Sequence, residues 1–460
     1  SLRLLDKMVL ESHGVSLSPI LPRHHGGMRW SDTICACITG PGPGAVAGVR
    51  LSGPGSWQLA SRVFAPWPAA PESHKAVFGR LLTSDDGLAL PFAEGHGYTG
   101  EEAVEFFIHG SPASVRALLD LLVREGARPA EPGEFSLRSF MTGRMDLTQA
   151  EGVKATVEAE TSAQLRLAKS LRQGDLSRRV SGLREECVGV LAAIEAATDF
   201  SEEAGELDEE AALTRLAKVS EGLRSLIKEG EASRIGMSGL RIALIGPPNA
   251  GKSSLMNALL RHDRAIVTDI PGTTRDTLEE TLEIHGLKVV LVDTAGLRET
   301  QDKVERLGLQ RSRREMEEAD LIWQLYDYSV GWQVSDAGLR ASMTKEVWVL
   351  AAKSDLPAPG QGPGIPISVM GRPGLDGLLS RFREFIPPPG SAALLPRHAG
   401  LVDGALLAVE EAAASLAAPV PADLAAVPLQ AAIRILGEIT GETTPPDVIE
   451  RIFHDFCIGK

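Results

Sequence analysis

A glycine-rich segment has the residue types and spacing of a phosphate-binding loop. Residues 246–253 read Gly-Pro-Pro-Asn-Ala-Gly-Lys-Ser, which matches the pattern G-x-x-x-x-G-K-S. An apolar strand candidate, 241–245, precedes it and a helix-like run, 254–260, follows it, as such a loop requires. The glycines let backbone N–H groups approach phosphate oxygens, Lys252 would reach the β- and γ-phosphates, and Ser253 would bind Mg²⁺. The sequence therefore predicts a nucleotide site.

Two further segments indicate the class of nucleotide enzyme. Asp293-Thr-Ala-Gly296 ends the strand candidate 288–292; its Asp can hold the metal through water, and the N–H of its Gly can sense the γ-phosphate. Between the two motifs, Gly272-Thr-Thr-Arg-Asp276 is a polar loop able to place Thr274 on Mg²⁺. This order is typical of a GTPase with two switch regions, which gain contacts only when a γ-phosphate is present.

One position departs from the Ras-like catalytic pattern. Leu297 follows Gly296, where Ras-like enzymes have a Gln that orients the attacking water. An aliphatic side chain cannot do this, so another group must. Glu305 lies in the same segment and is the candidate, and the alternative is that it is an ordinary surface carboxylate.

The base-recognition run also departs from the usual Asn-Lys-x-Asp. It reads Ala352-Lys-Ser-Asp355 and follows the strand candidate 347–351. Asp355 can accept two hydrogen bonds from the guanine edge, and Lys353 can pack over the base. Ala352 lacks the amide, and its absence predicts weaker guanine affinity or preference by roughly 1–3 kcal/mol if a buried polar group is left unpaired.

Composition and charge narrow the remaining function classes. The chain has 460 residues, which suggests about three domains. Its 47 basic and 61 acidic residues give a net charge of −14, which makes free-standing nucleic-acid binding a poor candidate but does not exclude RNA presented by a partner. Four cysteines form no disulfide framework and no zinc pattern occurs. No apolar run approaches the roughly 18 residues of a transmembrane helix.

The periodicity of apolar residues divides the chain into four parts. A mixed α/β pattern covers 32–147, a helical pattern runs from 148 to about 233, strands alternate with helices over about 240–386, and a helical pattern returns over 391–460. Two helical stretches that flank an α/β segment predict one helical domain, built from both flanks, with a mostly parallel α/β domain inserted between them. The strand candidates of the inserted domain are 241–245, 288–292, 321–326, 347–351 and 365–369.

The sequence resembles the MnmE (TrmE) family of tRNA-modification GTPases over about residues 32–460. Beside the GTPase motifs, a terminal C-[IV]-G-K after a helical domain is not a general GTPase feature. The matching motifs are Asp32-Thr-Ile34, Tyr98-Thr-Gly-Glu101, Pro132-Gly-Glu-Phe-Ser136, Asp293-Thr-Ala-Gly-Leu-Arg298 and Phe456-Cys-Ile-Gly-Lys460. The resemblance implies an α+β folate-binding domain that dimerises, a helical domain, and a Ras-like P-loop GTPase domain inserted into the helical one. The expected boundaries are 1–27 for a non-native or disordered extension before Met28, 28–147 for the folate-binding domain, 148–234 with 390–460 for the helical domain, and 235–389 for the GTPase domain.

The resemblance also implies an activity, cofactors and partners. Such an enzyme hydrolyses GTP and uses a tetrahydrofolate one-carbon donor, in the 5,10-methylene or 5-formyl form, to modify C5 of the wobble uridine of certain tRNAs. It forms a homodimer and works in a heterotetramer with a flavin-containing partner of the MnmG (GidA) type. The tRNA would bind mainly through that partner, which suits the charge of −14. The implied location is the bacterial cytoplasm without membrane association, with mitochondria as the minority alternative.

The family's functional residues carry over motif by motif. The implied GTP contacts are Asn249, Ala250, Gly251, Lys252, Ser253, Ser254, Thr268, Thr273, Thr274, Asp293, Thr294, Ala295, Gly296, Lys353 and Asp355. Ser253 and Thr274 would hold Mg²⁺, and the implied catalytic residues are Lys252, Thr274 and the water-orienting Glu305. K⁺, which would neutralise transition-state charge in place of an arginine finger, would be held by Asn249, Thr268, Ile270 and Thr273.

The implied folate contacts are Arg50, Glu105, Arg144 and Lys460, with Arg144 standing where relatives often have Lys. A pterin edge suits a carboxylate such as Glu105, and a glutamate tail suits cations. Cys457 has two interpretations: a nucleophile toward C6 of the uridine, or a small packing residue near the terminal Lys.

Two other functions fit part of the sequence. An Era-type RNA-associated assembly GTPase has the same P-loop and switches, but it predicts a KH-like appendage with a G-x-x-G loop that the sequence does not show. A folate-binding scaffold with a degenerate nucleotide site would explain Ala352 and the unusual loop Ser368-Val-Met370.

Overall fold

The computed structural model describes residues 31–459 except 41, 84, 200–206, 263, 266–278, 294–313, 342, 358–361, 371–373 and 389. The described residues form two compact units, 31–150 with 444–459 and 151–443. Among these residues, no helix combines the length and apolar character needed to cross a membrane.

The first unit contains a seven-stranded sheet in the order β3-β4-β5-β6-β2-β1-β7. Its strands pair antiparallel except for β1 with β7, which are parallel. The strands are β1 (Ile34–Cys37), β2 (Val46–Ser52), β3 (Phe64–Ala65), β4 (Val77–Leu81), β5 (Asp86–Phe92), β6 (Ala103–His109) and β7 (Arg128–Pro129). Helices α1 (Ser56–Val63) and α2 (Pro112–Arg124) supply Ala60, Leu118 and Leu122 to the apolar core on one face of this sheet.

The C-terminal segment belongs to the first unit. Helix α13 (Pro446–His454) packs on α3 (Glu134–Met141), and Ile449, Phe453 and Phe456 share an apolar cluster with Leu137 and Leu147. The sequence analysis placed this segment in the helical domain, 148–234 with 390–460, and that boundary stays a prediction. In the structure α13 is strongly amphipathic, and its apolar side chains are buried against α3 and the start of α4 (Leu147–Glu158).

The second unit has a helical core built from both sides of a central α/β segment. Its helices are α4 from Glu151 onward, α5 (Ser162–Arg172), α6 (Asp175–Asp199), α7 (Glu209–Ser238), α11 (Pro396–Ala417) and α12 (Ala426–Thr440). One continuous core contains Val190 and Leu223 from the first flank and Val409 and Leu436 from the second. The two flanks therefore pack as one body around side chains far apart in sequence.

The segment between the two flanks forms a second seven-stranded sheet, in the order β14-β13-β12-β8-β11-β10-β9. Strands β14, β13, β12, β8 and β11 pair in parallel, whereas β10 pairs antiparallel with both of its neighbours, β11 and β9. The strands are β8 (Leu240–Ile245), β9 (Arg264–Ala265), β10 (Glu279–Ile284), β11 (Leu287–Asp293), β12 (Leu321–Asp327), β13 (Val347–Ala352) and β14 (Ile365–Ile367), and the helices are α8 (Lys252–His262), α9 (Val334–Ala341) and α10 (Asp376–Arg381). The expected α/β and helical classes are both present.

Candidate functional site

The phosphate-binding loop joins the central strand β8 to helix α8. Gly246 has φ 143°, and a Cβ there would lie 2.2 Å from the Leu325 carbonyl oxygen, so this position requires glycine. Asn249 (φ 62°) and Gly251 (φ 100°) also have left-handed backbones. Successive turns of this kind direct backbone N–H groups into one concavity, which suits an anion. The sequence-predicted strand–loop–helix context is therefore present.

Lys252 lies inside this loop. Its residue is only 6% exposed, and Nζ donates hydrogen bonds to the carbonyl oxygens of Gly246 (2.8 Å) and Pro247 (2.9 Å). Ser253 and Ser254 are exposed on the first turn of α8, where the free N–H groups and helix dipole favour a phosphate. The loop thus presents an ammonium, hydroxyls and backbone donors together.

Asp293 stands beside the loop. It is the last residue of β11 and lies opposite Leu244 in the parallel pairing with β8. Ligands bind at the carboxyl ends of such strands, and this carboxylate lies at the same edge of the sheet as the start of the phosphate loop. The other sequence-predicted residues of the switch segments lie outside the described residues: Thr268, Ile270, Thr273, Thr274, Thr294, Ala295, Gly296 and Glu305.

The base-recognition run follows β13 at the same edge of the sheet. Lys353 has a left-handed backbone (φ 62°), and its Nζ lies 2.6 Å from Asp327 Oδ2 at the end of β12. Burial alone would raise the pKa of Asp327, but hydrogen bonds from Lys353 and Ser329 outweigh it and hold that pKa below its usual range. Asp355 Oδ1 accepts a hydrogen bond from Ser368 Oγ at 2.7 Å. Lys353 and Asp355 are therefore each oriented by a partner.

Ala352 borders the phosphate loop directly. The residue is 5% exposed, and a Cβ on Gly251 would lie 3.5 Å from the Ala352 Cβ. A longer side chain at position 352 would therefore reach the nucleotide loop. The amide that an Asn at position 352 would supply would therefore lie within the nucleotide site.

A second cluster lies on the sheet of the first unit. Arg50 and Glu105 are directly opposite in the β2–β6 pairing, and Arg50 Nε and Nη2 lie 2.9 and 2.8 Å from Glu105 Oε1. The guanidinium carbon lies 4.6 Å from the Tyr98 ring centroid and 5.1 Å from that of Phe135. Nη1 of Arg50 is buried and has no hydrogen-bond partner among the described residues. An unpaired buried N–H group is costly, so this nitrogen suits a ligand acceptor.

Of the other two predicted folate contacts, the structure describes Arg144 but not Lys460. Arg144 is exposed, and its Nη1 donates a hydrogen bond to the Gly95 carbonyl at 3.2 Å. The aliphatic part of its side chain packs over Gly100. Among the described residues, Arg144 has no recorded hydrogen bond or ion pair with Arg50 or Glu105. Lys460 lies outside the described residues. Its neighbour Gly459 lies against β1, since a Cβ there would be 2.2 Å from the Cys37 carbonyl oxygen. The Cys457 side chain is exposed.

Sequence reasoning missed an ion network that joins three motifs. Arg138 is 1% exposed and lies 2.8 Å from Asp32 Oδ1, 3.2 Å from Glu101 Oε1 and 3.0 Å from Glu134 Oε1. Arg128 also pairs with Asp32 and Glu134. Burial raises the pKa of Glu101, and Arg138 offsets this only in part. Each of these three motifs contains a carboxylate. That shared feature was the signal in the sequence that basic side chains would pair with them.

Comparison with known proteins identifies the family. The model described as "MnmE helical domain" matches residues 147–457, and the model described as "GTP-binding protein TrmE N-terminus" matches residues 33–144. Among solved structures, Aquifex aeolicus Era bound to GDP.AlF4- is 25% identical and covers 40% of this chain and 69% of its own, with a TM-score of 0.25. That score is low, and the family assignment rests on sequence.

Three curated relatives share the name "tRNA modification GTPase MnmE". The protein from Thermus thermophilus is 41% identical over 442 residues, covering 94% of this chain and all of the relative. Those from Moorella thermoacetica and Carboxydothermus hydrogenoformans are 38% and 37% identical, each covering 93% of this chain and 99% of the relative. With the two family models, this similarity over nearly the whole length shows that the chain belongs to the MnmE family of tRNA modification GTPases.

Proposed function

We propose that this protein hydrolyses GTP at the loop 246–253 and uses the hydrolysis in modifying the wobble uridine of tRNA. The observation that carries the proposal is the convergence of four groups at one edge of the second sheet. Lys252 lies in the loop, Asp293 lies beside it, and Lys353 and Asp355 both follow strand β13. A phosphate cradle, a metal carboxylate and a base-recognition carboxylate at one edge suit a guanine nucleotide.

The proposed catalytic roles follow from charge. Ser253 and Thr274 would bind Mg²⁺, with Asp293 holding it through water. Asn249, Thr268, Ile270 and Thr273 would hold K⁺, which when bound neutralises charge that develops on the phosphates. Glu305 would orient the attacking water in place of the Gln that Leu297 replaces. Lys252 would hold the γ-phosphate as its bond to the leaving group lengthens.

We further propose that the cluster around Arg50 binds the tetrahydrofolate donor, in its 5,10-methylene or 5-formyl form. The unpaired Nη1 of Arg50 would donate to the ligand, and both recorded bonds from Arg50 go to Oε1 of Glu105, so that Oε2 can accept from a pterin edge. Tyr98 and Phe135 provide flat apolar surfaces beside it. Arg144 and Lys460 would bind the glutamate tail. Folate when bound supplies the one-carbon unit transferred to C5 of the uridine.

The proposed assembly is a homodimer that joins an MnmG (GidA)-type flavoprotein in the bacterial cytoplasm. Phe78, Leu88 and Phe107 lie side by side across β4, β5 and β6, on the same face of the first sheet as Arg50 and Glu105. Phe78 is 67% and Leu88 is 42% exposed. Such an apolar row suits a second copy of the chain. The charge of −14 is consistent with a partner that supplies most of the basic tRNA surface.

Complementation of tRNA modification tests this function. Cells that lack their own member of the family would receive this chain, and the nucleosides of their tRNA would be analysed for wobble uridine modification. We expect recovery by the native sequence and none by Lys252→Ala, whose loop has lost its ammonium. Normal expression without recovery by the native chain would contradict the proposal.

Nucleotide turnover separates this function from the scaffold alternative. We expect GTP hydrolysis to be faster in K⁺ than in Na⁺ at equal ionic strength, with little ATP hydrolysis. Negligible GTP turnover in K⁺ would favour a folate-binding scaffold.

A further inference from the structure

A tight turn closes the hairpin of β10 and β11 at the end of the second sheet away from the nucleotide edge. His285 (φ 51°) and Gly286 (φ 83°) form its two central residues between the paired Ile284 and Leu287. Two positive φ angles are typical of a type I′ turn, which matches the twist of its strands and makes a stiff hairpin. Strand β11 then spans the seven residues Leu287–Asp293, roughly 20 Å from first to last.

This turn is bound to the first turn of helix α5. The Gly286 carbonyl accepts a hydrogen bond at 3.1 Å from the N–H of Ala163, a group without an intrahelical partner at that position. A Cβ on Gly286 would lie 2.3 Å from Ser162 Oγ, so the approach is close. Lys288 Nζ lies 2.5 Å from Glu160 Oε2, and both side chains are about three-quarters buried.

The end of helix α7 joins at the same place. Gln164, the capping-box residue of α5, donates from Nε2 to the Met237 carbonyl at 2.8 Å. Gly239 follows, and a Cβ there would lie 3.0 Å from Lys288 Cγ. The next residue begins β8, the strand that ends at the phosphate loop. We call this set of contacts, made by Glu160, Ala163, Gln164, Met237, Gly286 and Lys288, the α5 junction.

Two buried strands therefore connect the α5 junction to the two sides of the nucleotide site. β8 leads to Gly246 and β11 leads to Asp293, and the inward residues of both are fully buried. Such strands transmit displacement rather than absorb it, because close-packed cores deform little. On the other side, Leu167 and Leu171 of α5 belong to the helical core. At the α5 junction, two short and buried strands that lead from the phosphate loop and Asp293 therefore meet a helix of that core.

We propose that the α5 junction is the contact through which the nucleotide state of the second sheet reaches the helical core. The proposal rests on the proposed function only in requiring that the loop 246–253 bind a guanine nucleotide. The Lys288–Glu160 pair and the Gly286–Ala163 hydrogen bond hold the hairpin turn to α5, and Gln164 holds α7 to the same helix. Lys288 is a positioning residue, and among the described residues of the nucleotide site it has no recorded contact.

Amide hydrogen exchange measured on the full chain tests the proposal. Exchange would be compared in GDP and in GDP with aluminium fluoride and K⁺, for the peptides of 246–260, α5 and α7. In the native chain we expect all three to change between the two states. In Lys288→Ala we expect the change at 246–260 to persist, while the Ala163 amide exchanges about 2- to 5-fold faster and the response of α5 and α7 is lost.

A charge exchange and a distant pair provide the controls. Lys288→Glu combined with Glu160→Lys restores the ion pair and should restore the response of α5 and α7. Arg224→Ala removes a different and more exposed ion pair of the same unit, Arg224 with Glu410, and should behave as the native chain. A native response at 246–260 without one at α5 and α7, or an unchanged response in Lys288→Ala, overturns the inference and leaves the GTPase proposal standing. No response at 246–260 in the native chain overturns both.

Discussion

At the scale of single residues, Ala352 offers the sharpest change in nucleotide binding. It is buried against the phosphate loop, and its carbonyl accepts a hydrogen bond from the Tyr328 N–H at 2.8 Å, so the backbone there is fixed. We expect Ala352→Asn to tighten GTP binding about tenfold, because the added amide can pair with the guanine edge or the loop. Calorimetric titration with GTP measures this. ATP affinity and K⁺ dependence should stay the same, and unchanged GTP affinity would contradict the prediction.

Glu305 carries the prediction for hydrolysis. It lies outside the described residues, and its role follows from the family motif alone. We expect Glu305→Ala to slow single-turnover GTP hydrolysis by about 10²-fold or more while GTP binding stays within a few-fold, since only water orientation is lost. Glu317→Ala, which removes an exposed carboxylate further along the chain, is the matched control. Loss of binding in Glu305→Ala would refute the role.

Arg50 permits a test of the folate cluster in which charge is kept. Arg50→Lys keeps the cation near Glu105 but removes the planar fork with its unpaired Nη1. We expect the affinity for 5-formyltetrahydrofolate to fall at least about tenfold, measured by equilibrium titration. Arg80→Lys changes an exposed arginine of the same sheet and should have no effect. An equal loss in both variants would mean that the cluster is not the ligand site.

The residues of these sites were predictable from sequence to different degrees. The loop 246–253, Asp293 and Asp355 follow fixed motifs, and the structure places them at one edge. Asp327, which orients Lys353, lies 26 residues earlier in the chain and belongs to no motif. The roles of Arg128 and Arg138 were missed for the same reason, because only the fold shows with which carboxylates they form ion pairs.

At the scale of secondary structure, a buried ion cluster ties helix α4 to α11. Glu151 accepts hydrogen bonds from Arg397 Nε (2.9 Å) and Nη2 (2.7 Å), and His398 Nε2 lies 2.6 Å from it. The Leu395 N–H donates to His398 Nδ1, so Nε2 carries the proton that His398 donates to Glu151. Burial alone would raise the pKa of Glu151, but these hydrogen bonds outweigh it and lower the pKa to about 2.

This cluster predicts a pH-dependent contribution to stability. The lowered pKa of Glu151 stabilises the fold fully above its ordinary value of 4.5, and the contribution is lost as the pH falls from 4.5 toward 2. We expect Glu151→Gln to reduce the free energy of unfolding by about 3–5 kcal/mol at pH 7, and by less as the pH falls below 4.5. Urea unfolding of the native chain and variant measures the difference. Glu411→Gln, an exposed change on α11, should be neutral at every pH, and a loss for Glu151→Gln that is independent of pH would contradict the argument.

Strands were predictable where both faces are buried. The predicted strands 241–245 and 288–292 are observed as Leu240–Ile245 and Leu287–Asp293, because central parallel strands are nearly continuous apolar runs. The hairpin partner Glu279–Ile284 was not predicted, since its acidic residues face solvent and interrupt the apolar pattern. The edge strand predicted at 365–369 ends at Ile367.

At the scale of the whole molecule, the apolar row on the first sheet predicts the oligomeric state. We expect Phe78→Asp to convert the proposed dimer to a monomer, because it places a charge beside Leu88 in the row. Light scattering after size-exclusion chromatography measures the mass. Leu82→Asp alters a side chain that is also 67% exposed but lies just beyond β4, and it should remain dimeric. If both variants were monomers, or if both were dimers, the choice of this surface as the dimer interface would be contradicted.

The return of the C-terminal segment to the first unit has a consequence for biosynthesis. A Cβ on Gly133 would lie 2.0 Å from the Phe453 carbonyl oxygen, and Phe453 and Phe456 complete the cluster with Leu137 and Leu147. The main part of the first unit, 31–150, precedes the second unit in the chain, yet this part of its core is supplied by residues that follow the whole second unit. During synthesis the apolar surface around Leu137 and Leu147 therefore stays uncovered until the second unit has been made. We expect a chain that stops before residue 444 to expose this surface and to aggregate more readily than the native chain.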